Sequence, residues 1–342
     1  VLTGKTYTIR AKKIINATGP WVDELREKDG SKSGKSLHLT KGIHIVIDQA
    51  HFPRQQAVYF DVPDGRMIFA IPREGKTYVG TTDTNYQGDI LEPGVTEEDR
   101  DYILDATNKM FNVDLQPEHV ESTWSGLRPL IHEDGKDPSE LSRKDEIFVS
   151  KSGLMSIAGG KLTGYRKMAE RIIDMVADQF KEEENRIYLT SRTHDILLGG
   201  GHPDGSKGFA RYLKEQQPKG EALGLSPKEA TWLIQRYGTD VERVFELIRS
   251  RGSEAERYQL PLHWFGGLLY GLEAELVMQP GDFLNRRASA VFFDFPNAEK
   301  YADGVLALMR SELGWSAEEE AKANASIQRE FDAVRIKTSL PS

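Results

Sequence analysis

The stretch Ser156-Ile157-Ala158-Gly159-Gly160-Lys161-Leu162-Thr163-Gly164-Tyr165 has the residue types and spacing to hold an anion or a ring close to the backbone. Leu154 to Ala158 reads as a short apolar strand, and Met168, Ile172, Met175 and Val176 recur with helical spacing. Gly159 and Gly160 carry no Cβ, so the chain can turn sharply there and approach another molecule. A helix that starts after such a turn presents free N–H groups and a positive dipole end, and Lys161 adds a charge at the same place. Taken alone, the stretch also fits a plain strand-to-helix connection. Two further residues could do chemistry. Arg128 stands between Gly126 and Pro129, where the proline biases it toward an extended backbone. A guanidinium at a strand end suits an anionic substrate or a developing alkoxide, although alone it reads more often as a surface arginine in an ion pair. His44 interrupts an apolar strand, where a lone histidine is more often a satisfied core residue.

The remaining composition removes several kinds of chemistry. No cysteine is present, which excludes disulfides, thiolate metal sites and thiol nucleophiles and suits a cytosolic protein. The net charge of -8 argues against a general nucleic-acid binder. No Gly-x-Ser-x-Gly elbow occurs. His194-Asp195 and His202 lack metal-ligand spacing, so no metal site is expected. The window from Leu260 to Met278 is broken by His263, Glu273 and Glu275 and is too polar to span a bilayer. The first residues, Val-Leu-Thr-Gly-Lys, do not read as a secretory leader.

The elements that must position these residues follow from the patterning. Thr6 to Ala11 and Lys13 to Ala17 read as strands, with Ile14 and Ile15 entering a buried one. Asn16-Ala17-Thr18-Gly19-Pro20-Trp21 ends the second, and Pro20 starts a helix through Val22 and Leu25. Residues 37 to 82 alternate as strands, Ile43, Ile45 and Ile47 sharing one face. Met67 to Ile71 and Thr77 to Thr82 form a hairpin around residues 73–76. Thr96 caps a helix from Glu97 to Phe111 whose Ile103, Ala106 and Met110 share a face. Val120 to Leu127 and Glu146 to Ser150 return to strand, giving one mixed sheet around one pocket. After a glycine-rich linker at 195–207, helices are expected at 207–217, 227–237, 239–250, 262–278, 281–291, 297–313 and 316–334, with clear starts at Ser226-Pro227 and Ser316. The class is α/β with α+β elements, in two domains: 1–195, and an all-helical 205–342 expected to contribute little to the chemistry.

Four segments in this order resemble the FAD-dependent glycerol-3-phosphate dehydrogenases of the aerobic, quinone-linked kind: residues 15–21, 39–46, 125–130 and 156–169. The resemblance extends over nearly the whole chain, more loosely beyond residue 200. It implies an FAD-dependent oxidoreductase fold of the glutathione-reductase/D-amino-acid-oxidase type without its N-terminal dinucleotide-binding unit. The sequence contains no Gly-x-Gly-x-x-Gly fingerprint, so a further N-terminal part is expected upstream of Val1, and residues 1–342 alone are expected to bind FAD poorly. The resemblance also implies a set of roles. Ala17, Thr18, Gly19 and Trp21 lie against the ADP part of FAD, and Gly159, Gly160, Lys161, Leu162 and Thr163 lie at the flavin. His44 becomes a pocket residue and a base for the substrate hydroxyl. Arg128 is the active-site arginine, and Arg143 with Lys161 faces the phosphate. The implied reaction oxidises sn-glycerol 3-phosphate to dihydroxyacetone phosphate in glycerol catabolism. Electrons leave to a membrane quinone, from a cytoplasmic protein held peripherally at the inner face of the cell membrane; the assemblies left open include a homodimer. Oxygen-using relatives carry an added segment for which residues 180–205 look too short. The alternatives are such an oxidase, a non-catalytic phosphate-binding fragment, and a flavin amine or amino-acid oxidase.

Overall fold

A computed structural model describes residues 4–133, 144–202 and 204–336. In chain order the elements are β1 (Ile15–Asn16), α1 (Val22–Lys28), β2 (Lys35–Asp48), β3 (Val58–Asp61), β4 (Met67–Arg73), β5 (Lys76–Gly80), β6 (Thr84–Asn85), α2 (Glu97–Phe111), β7 (Val120–Glu133), β8 (Glu146–Val149), β9 (Met155–Ala158) and α3 (Tyr165–Glu184). Then come α4 (Gly205–Glu221), α5 (Pro227–Tyr237), α6 (Val241–Arg251), α7 (Leu262–Ala274), α8 (Ala290–Phe293), α9 (Phe295–Leu313) and α10 (Ala317–Val334). Among the described residues, no helix is long and apolar enough to cross a membrane. Two compact units interleave along the chain. One takes Val1–Gly42, Asp83–Pro93 and Ser125–Ile196; the other takes Ile43–Thr82, Gly94–Trp124 and Leu197–Ser342.

In the first unit a three-stranded sheet runs in the order β1-β9-β8. β1 is parallel to β9 with Ile15 opposite Met155 and Asn16 opposite Ser156, and β8 is antiparallel to β9. Its core is small: Met155, Ile157 and Ile172 are buried, and Ile15, Ile147, Met168 and Val176 pack on them. The start of β2 pairs with β6, Lys41 opposite Thr84.

In the second unit β3, β4, β5 and the end of β2 form an antiparallel run, with His44 opposite Gly80. β7 pairs with β2. The β4–β5 hairpin turns on Glu74 and Gly75, at φ 53° and 82°, the positive-φ pair that a two-residue hairpin requires. Ile43, Ile45 and Ile47 are fully buried against Phe52, Phe60, Ile68 and Ile103. Val46, on the opposite face, is fully buried as well, so both faces of this strand are covered. Helices α4 to α10 enclose the largest core, around Leu233, Phe265, Phe283 and Phe331. The starts of α2, α5 and α10 are closed by capping boxes in which Thr96, Ser226 and Ser316 accept from the backbone of Asp99, Glu229 and Glu319.

Several expectations are corrected. Among the described residues the strands form two sheets rather than one mixed sheet. Residues 6–11 form no strand: Tyr7 and Ile9 are 74% and 87% exposed, and no described strand takes up their backbone hydrogen bonds. β1 is only two residues long, and Ile14 is exposed rather than entering a core. Met110 is exposed because Leu104 and Thr107 share the buried face of α2 with Ile103 and Ala106, and the last turn ends at the left-handed Asn112. The helix expected at 281–291 is a π-helical stretch, Asp282–Arg287, followed by the single turn α8. α7 ends at Ala274, four residues early, where Glu275 and the positive-φ Leu276 turn the chain.

Candidate functional site

Two turns in the first unit leave the C-terminal ends of adjacent parallel strands. The turn from Ala17 to Trp21 follows β1, and the turn from Gly159 to Gly164 follows β9. In open α/β sheets this end of a parallel pair is where ligands bind. Because β1 pairs over two residues only, a side chain completes its attachment. Asn16 is fully buried, and its Nδ2 donates to Val22 O at 2.9 Å and to Ser156 Oγ at 3.1 Å. Thr18 Oγ1 donates in turn to Asn16 Oδ1 at 2.7 Å. This network ties the first turn to the helix after it and to the strand leading into the second.

Glycine is required in the second turn. Gly159 and Gly160 adopt φ 75° and 79°. A Cβ at Gly159 would lie 2.5 Å from the backbone oxygen of Lys144, and one at Gly160 would lie 2.9 Å from both Asp145 Cβ and Met168 Sδ. Lys161 then caps a 3-10 turn, Leu162–Gly164, that runs into α3, and neither helical start carries an acidic residue. Their first N–H groups have no intrahelical acceptor. Lys161, Leu162 and Thr163 are exposed, Leu162 by 89%.

Arg128 does not stand at a strand end as expected. β7 continues past Pro129 to Glu133, placing the arginine inside the strand; a proline is tolerated there where its missing N–H is not needed by the ladder. Arg128 Nη1 donates to Asp83 Oδ1 at 3.3 Å, and each side chain is about one-third exposed. Asp83 directly precedes β6, whose pairing with Lys41 fixes it. Arg143 lies outside the described residues, so the expected grouping of Arg128, Arg143 and Lys161 is not described.

His44 belongs to the second unit. Its ring lies over Gly80, where a Cβ would come within 2.4 Å of His44 Cδ2. The same ring stacks on Trp124 at 4.8 Å between centroids and 15° between planes, and Tyr78 approaches at 6.0 Å. Two surface clefts, of about 420 and 480 Å³, open elsewhere: one beside Gly199–Gly201 and Arg236 in the second unit, one around residues 27–36 in the first. Neither is lined by an expected site residue. Sequence reasoning gave no role to Asn16, Asp83 or Trp124. The available signals were an amide at a strand end, an acid after Thr81-Thr82, and a tryptophan directly before the Ser-Gly-Leu-Arg-Pro segment.

Comparison with known proteins now adds names to this geometry. Residues 1–166 match the family of FAD dependent oxidoreductases, and residues 191–320 match the C-terminal domain of alpha-glycerophosphate oxidase. The chain is 50% identical over 330 residues to the aerobic glycerol-3-phosphate dehydrogenase of Bacillus subtilis (strain 168), covering 96% of this chain and 60% of that protein. It is 47% identical over 322 residues to the protein of that name from Staphylococcus haemolyticus (strain JCSC1435), covering 94% and 58%. The crystal structure of the glycerol-3-phosphate dehydrogenase from Bacillus halodurans complexed with FAD superposes with a TM-score of 0.90 at 48% identity, over 100% of this chain and 66% of that one. The chain thus spans about three-fifths of the length of the curated relatives it matches.

Proposed function

We propose that the chain is part of a flavin-dependent oxidoreductase that oxidises sn-glycerol 3-phosphate to dihydroxyacetone phosphate, a reading supported by the match of residues 1–166 to the FAD dependent oxidoreductases and of residues 191–320 to the C-terminal domain of alpha-glycerophosphate oxidase. One observation carries the reading: two turns built on positive-φ glycines leave neighbouring parallel strands at the same end. The substrate is taken from the name shared by relatives at 47–50% identity.

The residues at these turns fit FAD. Ala17 and Thr18 are exposed, and Gly19, at φ 59°, has nothing within 4 Å of where a Cβ would be, so the first turn offers open backbone. The second turn offers N–H donors, a lysine and the exposed Leu162, a mixture suited to the polar edge and flat face of a flavin. Ala17, Thr18, Gly19 and Trp21 would hold the group from one turn, and Gly159, Gly160, Lys161, Leu162 and Thr163 from the other. When bound, FAD supplies the acceptor for the hydride of the substrate carbon. The chain's own residues bind, orient and move the proton. His44 takes the proton from the C2 hydroxyl, since a neutral imidazole carries a lone pair that can accept it. Arg128 offers N–H donors to the negative charge growing on that oxygen. Lys161 and Arg143 hold the phosphate dianion.

The final acceptor in this reading is a membrane quinone, reached by peripheral contact with the inner face of the cell membrane, in glycerol catabolism; a homodimer is compatible with it. The dehydrogenase name of the relatives and the short segment between Glu184 and Gly205 support a quinone over oxygen. The test uses flavin-loaded protein that contains this chain. Anaerobic mixing with sn-glycerol 3-phosphate is expected to bleach the flavin, whereas glycine and sarcosine are not. Reduced enzyme is then expected to reoxidise faster with a soluble quinone than with dissolved oxygen. Bleaching by the amino acids but not by glycerol 3-phosphate would end the proposal.

A further inference from the structure

Residues far apart in the sequence converge on His44 within the second unit. Trp124, which stacks on the imidazole, is held by two phenylalanines of the single-turn helix α8: Phe292 at 5.3 Å and 60°, and Phe293 at 5.8 Å and 65°. Tyr78 closes the group, meeting Trp124 at 5.5 Å and Phe293 at 5.8 Å. Arg73 covers Phe293, its Cζ 4.4 Å from the ring centre. The backbone is fastened at the same place. Ser122 Oγ donates to Phe292 O at 2.6 Å, and Thr123 Oγ1 donates to Val334 O at 2.9 Å. Both of these residues are 1% exposed. The two residues of β7 before Trp124 are therefore anchored by side-chain hydrogen bonds to the C-terminal helical part.

We propose that Phe292 and Phe293 act as a wedge that fixes Trp124, and through it the ring plane of His44, so that the C-terminal helices position the base that accepts the substrate proton. This rests on the reading of His44 given above. The physical argument is directional. Proton transfer needs a ring nitrogen within hydrogen-bond reach of the hydroxyl and correctly aimed. The bare backbone of Gly80 fixes where the imidazole can lie but not its rotation about the Cβ–Cγ bond, and a stacked indole restrains that rotation. Each aromatic contact is weak by itself and tolerant of offset, so a half-buried indole without support could swing away. Contacts from Tyr78, Phe292 and Phe293 remove that freedom. The expectation that residues 205–342 contribute little to the chemistry is reversed by this proposal.

The test compares variants in flavin-loaded protein that contains this chain. The two readouts are the His44 ring-proton resonances, assigned by their loss in His44→Gln, and anaerobic flavin reduction by sn-glycerol 3-phosphate. Trp124→Leu sets the resonance position of an unstacked ring. Phe293→Leu is expected to move the His44 signals toward that position. It should lower the limiting rate on the order of 10- to 100-fold, the scale of a misaimed catalytic group, and leave the half-saturating substrate concentration nearly unchanged. Trp124→Phe, which keeps a flat ring, should restore much of the rate relative to Trp124→Leu. Phe265→Leu, equally buried in the helical core, should leave the His44 signals in place. If Phe293→Leu does not fold, Phe292→Leu at the less buried position serves in its stead. Unmoved His44 signals in a folded wedge variant, or equal movement in Phe265→Leu, overturn the proposal. Wild-type flavin reduction by His44→Gln would instead overturn the assignment of the base, with the resonances still deciding whether the wedge holds the ring.

Discussion

Arg128→Lys separates a structural from a catalytic arginine, because the two readings differ in magnitude. Arg128 Nη1 approaches Asp83 Oδ1 at 3.3 Å, and both side chains are about one-third exposed. At that distance and exposure, solvent screening holds the pair to about 1 kcal/mol. Loss of that pair therefore costs about 1 kcal/mol of stability, and lysine, keeping the charge, loses less. Stabilisation of an oxyanion is larger: removing one such donor costs on the order of 100- to 1000-fold in turnover, about 2.7–4 kcal/mol. Lysine places a compact ammonium where a planar fork stood, so it does not replace the donor. The assay is anaerobic stopped-flow reduction of the flavin at saturating sn-glycerol 3-phosphate, which reads the chemical step apart from binding. A fall of at least about 100-fold in the limiting rate, with a melting temperature close to wild type, is expected. Asp83→Asn in the same background should add little, since a partner acts only through the group it positions. A wild-type limiting rate in Arg128→Lys would refute the electrostatic role and leave Arg128 as a binding or structural residue.

Gly159→Ala should destabilise the protein by about 2 kcal/mol or more and weaken flavin binding, because a left-handed φ and a fixed carbonyl 2.5 Å from the new Cβ act together; flavin titration and thermal melting check it, and unchanged values of both would sink it. Burial pushes the His263 imidazole below its ordinary value of 6.5, by more than the Glu229 carboxylate 2.9 Å away raises it. The unfolded chain then binds more protons in the window between the two values, so stability is complete above pH 6.5 and falls as pH drops toward the folded value. Melting temperatures across that range should fall less steeply in His263→Gln than in wild type. Ser226→Ala and Ser316→Ala each remove a capping box and should cost about 1 kcal/mol in chemical denaturation, without effect on flavin reduction.

What could be read from the sequence divides by range. The helix α5 was expected at its observed bounds, because Ser226, Pro227 and Glu229 write its start locally and Gly238 its end. The hairpin at Glu74-Gly75 and the turn at Gly159-Gly160 were legible for the same reason: glycines at positive φ are local requirements. Arg128 was misplaced because the strand was expected to end at Leu127, whereas β7 continues through Pro129 to Glu133. Residues 6–11 have strand composition, but strand formation depends on a partner, which composition does not report. The group around His44 joins residues 44, 78, 124 and 292–293, and no local pattern links positions so distant. The interleaving of the two units is hidden for the same reason.

The two halves of the candidate chemistry are held by different physical means. At the strand ends of the first unit the apolar core is small, and β1 contributes a ladder of two residues. Precision there comes from directional bonds: the buried Asn16 amide fixes Val22, Ser156 and Thr18 at once, and glycines without Cβ atoms let the next turn close against Lys144 and Met168. A buried amide with its partners in place is rigid, because any displacement leaves polar groups unsatisfied. In the second unit His44 sits on a strand buried on both faces, and its ring stacks on Trp124, which Phe292 and Phe293 of α8 contact in turn. Packing tolerates exchange of one flat ring for another, whereas the amide network tolerates almost no exchange. Substitutions that keep shape should therefore be accepted around His44, and substitutions that keep shape but change polarity, such as Asn16→Leu, should fail at the strand ends.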